Sequence, residues 1–160
     1  MDDVALANYV TGTYFGYVEA GRLDPDGARL LGVKPHVEIW FSDYTLLKLQ
    51  KRHGDINFSH YRHMPSLLLH GFRAQGRTPN VLDAWWVSFD GREFIGFFAA
   101  LKATKKGEVF VATFHRIHLN EARRLWKRAL RDGRLVREQA LASTLLKPGT
   151  DHLKPKKKMA

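Results

Sequence analysis

The chain has 160 residues, 44% hydrophobic and 12% aromatic, the size of one domain with one core and no room for a second. It has no cysteine, which excludes disulfide frameworks, thiolate nucleophiles and Cys-ligated zinc. Its 26 Lys and Arg against 16 Asp and Glu, a formal charge of +10, favour a polyanionic partner, because each phosphate neutralised by a cation releases condensed counterions. Nucleic acid is the first such partner and an anionic membrane surface the second.

The chain starts Met1-Asp2-Asp3, without the cationic stretch of a secretory signal, and no apolar run approaches the ~20 residues that span a bilayer. The expectation is a soluble cytoplasmic or phage-associated protein with no membrane contact. Residues 4–20, with Tyr9, Tyr14, Phe15, Tyr17 and Val18, read equally as a short helix or a strand. Asp24-Pro25-Asp26-Gly27 reads as a turn that closes an N-terminal lead-in over residues 1–35.

The core is expected over 36–118. Val37, Ile39 and Phe41 alternate as a strand, Ser42 offers a helix N-cap, and Gly54 stops the helix. In that helix His53 continues the stripe of Leu46, Leu49 and Gln50, while Lys48, Lys51 and Arg52 lie on another side. A second helical segment spans 58–71, opened by Pro65 and closed by Gly71, and 71–80 reads as a loop.

A three-strand antiparallel meander follows over 84–89, 93–102 and 108–117, with turns at Asp90-Gly91 and Lys106-Gly107. Strict alternation on the last strand puts Val109, Val111, Thr113 and His115 on one face and Phe110, Ala112, Phe114 and Arg116 on the other. A basic amphipathic helix over 119–140, capped by Asn120, buries Ala122, Leu125, Trp126, Ala129 and Leu130 and turns Arg123, Arg124, Lys127, Arg128 and Arg131 outward. Residues 147–160, ending in a run of lysines, read as a basic disordered tail.

Cleaving RNA through its own 2′-hydroxyl needs a general base, a general acid and donors for the charge on phosphorus. Two imidazoles suit the proton work, and His53 and His115 are the candidates. Lys48, Arg52 and Arg116 could hold the phosphate, with Thr113 donating a hydrogen bond. A histidine at a helix C-terminus is also stabilised by the dipole alone, and polar residues can simply end a strand at a sheet rim. His60, His63 and His70 make only half a metal site, so no metal and no cofactor are expected. Most of Trp40, Trp85, Trp86, Phe94, Phe97 and Phe98 should pack the core, with Trp85 or Trp86 the exposed exception.

Three motifs resemble those of the phage-encoded branch of the barnase-EndoU-colicin-RelE group of ribonucleases and toxins. They are Ser42 leading into a helix that ends Arg52-His53, the segment Tyr61-Arg62-His63-Met64-Pro65, and the strand ending Thr113-Phe114-His115-Arg116. The resemblance covers residues 36–117. It implies an α+β fold with N-terminal helices packed on a small antiparallel sheet, plus the basic C-terminal helix. It also implies a metal-independent RNA endonuclease giving a 2′,3′-cyclic phosphate, with catalytic residues among His53, His115, Lys48, Thr113 and Arg116. Lys51, Arg52, Arg124, Arg128 and Arg131 would bind the RNA, with tRNA among the candidate substrates and an inhibitor or immunity protein as a further partner. The alternative is a non-catalytic nucleic-acid-binding or virion-associated protein that keeps the cations and lacks the chemistry.

Overall fold

A computed structural model of the chain describes residues 17–42, 45, 51, 58–89 and 91–140, the side chains of Phe58 and Ser59 excepted. Seven strands form one sheet: β1 (Tyr17–Arg22), β2 (Glu38–Ser42), β3 (Phe72–Gln75), β4 (Val81–Phe89), β5 (Phe94–Ala103), β6 (Val109–Ile117) and β7 (Leu135–Arg137). The described helices are α1 (Pro25–Leu31), α2 (Phe58–Tyr61), α3 (Met64–His70) and α4 (Leu119–Arg131). The strand order is β1-β2-β6-β5-β4-β3-β7; β2 and β6 run parallel, and the other neighbours antiparallel.

The expected fold class is overturned. The sheet is wide and mixed, the first described element is a strand, and helices lie on both of its faces. The physical reason lies at the two ends of the chain. The segment read as a lead-in supplies β1, which pairs with β2, and α1, whose Ala28 and Leu31 enter the main core. Asp24-Pro25 does not make a free turn. It starts α1: Asp24 accepts a hydrogen bond from the Gly27 N–H at 3.0 Å, and Pro25 occupies the first helical position. The presumed loop over 71–80 holds β3, which buries Phe72 and Ala74, and the basic helix stops at Arg131, so that the chain returns as β7 beside β3.

The three-strand meander is present as β4, β5 and β6, and Gly91 and Gly107 take the positive φ values of 92° and 82° that their turns require. Ser42 caps as expected: its hydroxyl accepts from the Thr45 N–H at 3.2 Å, with Thr45 in helical conformation.

On one face α1 and α3 cover a core that includes Leu23, Phe41, Tyr61, Leu67, Phe97 and Phe114. Gly71 ends α3 where the chain passes against β4; a Cβ there would sit 2.5 Å from the carbonyl oxygens of both Leu67 and Trp85. Buried Arg73 is ion-paired with Asp24, and it joins Arg137 in donating to the Leu68 carbonyl at the end of α3, at 2.6 and 3.2 Å. On the other face α4 closes a smaller core on Phe72, Trp85, Val87 and Ile117. Helix α4 begins after His118 instead of Asn120, whose side chain accepts from Arg123, and Leu130 is half-exposed outside its apolar stripe.

Candidate functional site

The polar end of β6 owes its direction to one extra residue. The β5–β6 register runs Phe98↔His115, Ala99↔Phe114 and Ala100↔Thr113, then jumps to Leu101↔Val111, leaving Ala112 as a bulge. Strict alternation therefore fails in mid-strand. Val109, Val111 and Phe114 all enter the main core, while Thr113, His115 and Ile117 turn to the α4 face. Thr113 and His115 share a face as the sequence suggested, but that face is opposite to the one holding Val109 and Val111.

Between this face and α4 lies a cavity of about 210 Å³ lined by Phe98, His115, Ile117, Glu121, Arg124, Leu125 and Arg128. The helical contribution follows from spacing. Glu121, Arg124, Leu125 and Arg128 stand at i, i+3, i+4 and i+7, one stripe of α4. The strand contribution is the cross-strand pair Phe98–His115, whose rings lie 5.2 Å apart. His115 Nδ1 is 3.1 Å from the Arg116 carbonyl oxygen. A carbonyl can only accept, so in this contact Nδ1 is the donor.

The structure thus brings together three residues singled out from the sequence, His115, Arg124 and Arg128, and adds Glu121. Charge alone does not single out Glu121, the one acid of a basic helix; its spacing to Arg124 and Arg128 at i+3 and i+7 is the signal that does. Thr113 lies on the same sheet face, two residues back along β6. Arg116 falls on the opposite face, paired with Phe97, and so leaves the set. Arg131 lies past the cavity and is held by Asp132 at 2.9 Å, which draws the Asp132 carboxyl below its usual range. Lys51 is exposed and helical. Lys48, Arg52 and His53 lie outside the described residues, so the pairing of His53 with His115 does too.

No family model, curated protein or solved structure matches the chain. Function has to be read from the site alone.

The remaining candidates resolve into packing. His63 stacks on Phe97 at 5.1 Å and leans on Trp86 at 5.6 Å, and burial, then Arg62 and His60, lower its pKa below the usual histidine value. Among the described residues no three His, Asp or Glu side chains gather as metal ligands. Trp85 is buried and Trp86 half-buried beneath His63, so neither is the exposed ring that the sequence suggested; that description fits Tyr17 and Phe89. Among the described residues no helix is long and apolar enough to cross a membrane.

Proposed function

We propose that the chain is an endoribonuclease that binds a phosphodiester of RNA in the cavity between β6 and α4 and cleaves it by transesterification. The observation that carries this reading is the convergence of one imidazole, one carboxylate and two guanidiniums on a single cavity. With the expected fold overturned, the cavity alone supports the chemistry that the family resemblance implied.

In the proposed reaction the 2′-oxygen forms a bond to phosphorus and the bond from phosphorus to the 5′-oxygen breaks, leaving a 2′,3′-cyclic phosphate. Glu121 and His115 divide the proton work: one takes the 2′-proton and the other protonates the departing 5′-oxygen. Each such group ordinarily contributes ~10²–10⁴-fold. Arg124 and Arg128 offset the charge that accumulates on the pentavalent phosphorus, and guanidinium geometry suits two phosphate oxygens at once. Phe98 gives the site an apolar wall beside the imidazole, and Thr113 can donate to a neighbouring phosphate. The groups on the page supply every proton this scheme needs. An activity of this kind in the cytoplasm calls for an inhibitor that covers the same cavity.

The test is cleavage of labelled total RNA and tRNA in excess EDTA, comparing wild type, His115→Ala, Glu121→Gln and His53→Ala. Cyclic-phosphate ends that disappear with His115→Ala and Glu121→Gln support the reading, and the His53 variant reports whether a second imidazole takes part. Wild-type inactivity beside tight, salt-sensitive RNA binding would leave a nucleic-acid-binding protein that uses the arginines alone.

A further inference from the structure

The sheet face that holds the cavity extends well beyond α4. That helix makes its main contacts with β4, β5 and β7, away from the β1-β2 edge of the face. Three aromatic rings from three neighbouring strands meet there: Tyr17 of β1, Trp40 of β2 and Phe110 of β6. The Tyr17 ring lies 6.5 Å from Trp40 and 5.5 Å from Phe110, while Trp40 and Phe110 are register partners in the parallel pair. Tyr17 is 54% exposed, and the other two are half-buried. Strand positions that face away from a core are ordinarily polar, so three contiguous rings there mark a binding surface.

The charges around the rings are graded. On the outer side Arg22 is paired with Glu19 at 3.1 Å and with Glu38 at 3.6 Å. On the cavity side stands Lys102, exposed and directly across from Phe110. Two pleats further along β5, about 13 Å by strand geometry, is Phe98 of the cavity wall. A path from the rings to the cavity therefore passes a lysine and ends at two arginines.

We propose that Tyr17, Trp40 and Phe110 form a stacking platform for the bases of single-stranded RNA, whose backbone runs past Lys102 into the His115 cavity. The route of that backbone rests on the functional reading above. Bases in a duplex are already stacked and paired and cannot lie on the rings, whereas unpaired bases can, whatever their identity. The platform thus selects for strandedness and leaves sequence open.

The experiment uses the full chain and a labelled 2′-O-methyl oligouridine decamer, which cannot be cleaved, beside a duplex of the same length. Tyr17→Leu, Trp40→Leu and Phe110→Leu keep apolar bulk and remove the ring; each should weaken decamer binding about tenfold and leave duplex binding unchanged. Trp40→Phe and Phe110→Tyr keep a ring and should bind as wild type, which separates loss of stacking from loss of fold. Cleavage of a uridylyl-adenosine dinucleotide, too short to reach the rings, should be unaffected by all of them. Wild-type decamer affinity in the leucine variants, or equal loss for the duplex, overturns the platform. A wild type that does not cut the dinucleotide, alongside ring-dependent decamer binding, removes the ribonuclease reading and leaves the platform standing.

Discussion

The Gln139 side chain closes a two-bond ring with the backbone of Val87: its carbonyl oxygen accepts from the Val87 N–H at 3.0 Å, and its amide donates to the Val87 carbonyl at 2.8 Å. The β3 ladder to β4 ends at Phe72↔Trp85, so Val87 lies beyond its reach. A buried side-chain amide thereby takes the place of the missing strand.

Gln139→Ala would leave both backbone groups of Val87 buried without partners. The expected cost is about 2–6 kcal/mol, since each of the two orphaned groups ordinarily costs ~1–3 kcal/mol. Urea unfolding of the two proteins measures it, and a loss below about 0.5 kcal/mol would mean that water replaces the amide.

Tyr61 carries the reverse imbalance. Its ring packs between Phe41 at 5.5 Å and Phe114 at 5.4 Å, and its buried hydroxyl has no hydrogen-bond partner among the described residues. Burial pushes its pKa up to about 12. Tyr61→Phe removes a polar group that lost its water without compensation, so stability should stay level or rise by up to about 1 kcal/mol. A fall of the urea midpoint would reveal a partner for the hydroxyl.

His63 makes stability depend on pH. Its folded pKa is lowered by burial and by the nearby Arg62 and His60, so the unfolded chain binds the proton more readily. Its contribution is therefore complete above the ordinary histidine pKa of about 6.5 and is lost as pH falls from there through the depressed folded value. His63→Phe keeps the stack on Phe97 and removes the titration. Urea midpoints taken from pH 7.5 down to pH 5 should fall less steeply for the variant than for wild type.

The arginines of α4 should separate by position. Removing Arg124 or Arg128 should each weaken single-stranded RNA binding and reduce the slope of log affinity against log salt by about 0.7. Arg131→Ala should change that slope less, because Asp132 already holds its guanidinium. Equal slopes for all three variants would place RNA on the open flank of the helix and away from the cavity.

How much of this was legible in the sequence depended on the range of the interaction. Turns and caps are local, so Asp90-Gly91, Lys106-Gly107 and Ser42 could be read directly. Asp24-Pro25 was legible as chain reversal but ambiguous in kind, because Asp before Pro starts a turn and a helix with the same chemistry. The parallel pairing of Trp40 with Phe110 joins segments far apart in the chain and leaves no local mark in either. Arg73 misled in another way: an arginine in a short polar stretch signals a loop, yet here Asp24 and the Leu68 carbonyl let it be buried in β3. In the candidate site the arginines were visible as a basic helix. The side of the sheet they share with His115 was not, since it depends on Ala112.

That single alanine has a further meaning. Strand β6 keeps two phases, one before Ala112 and one after it, and His115 owes its side of the sheet to the count of residues between them. Deleting Ala112 would close the bulge and leave the pairs on either side of it unchanged, His115 still opposite Phe98, whereas pairing Ala112 into a regular ladder would move His115 opposite Phe97, on the main-core face. Substitutions along this strand can be absorbed one at a time. Ironing the bulge out at unchanged length exchanges core for site all at once, so the looped-out residue is as much a determinant of the chemistry as the imidazole itself.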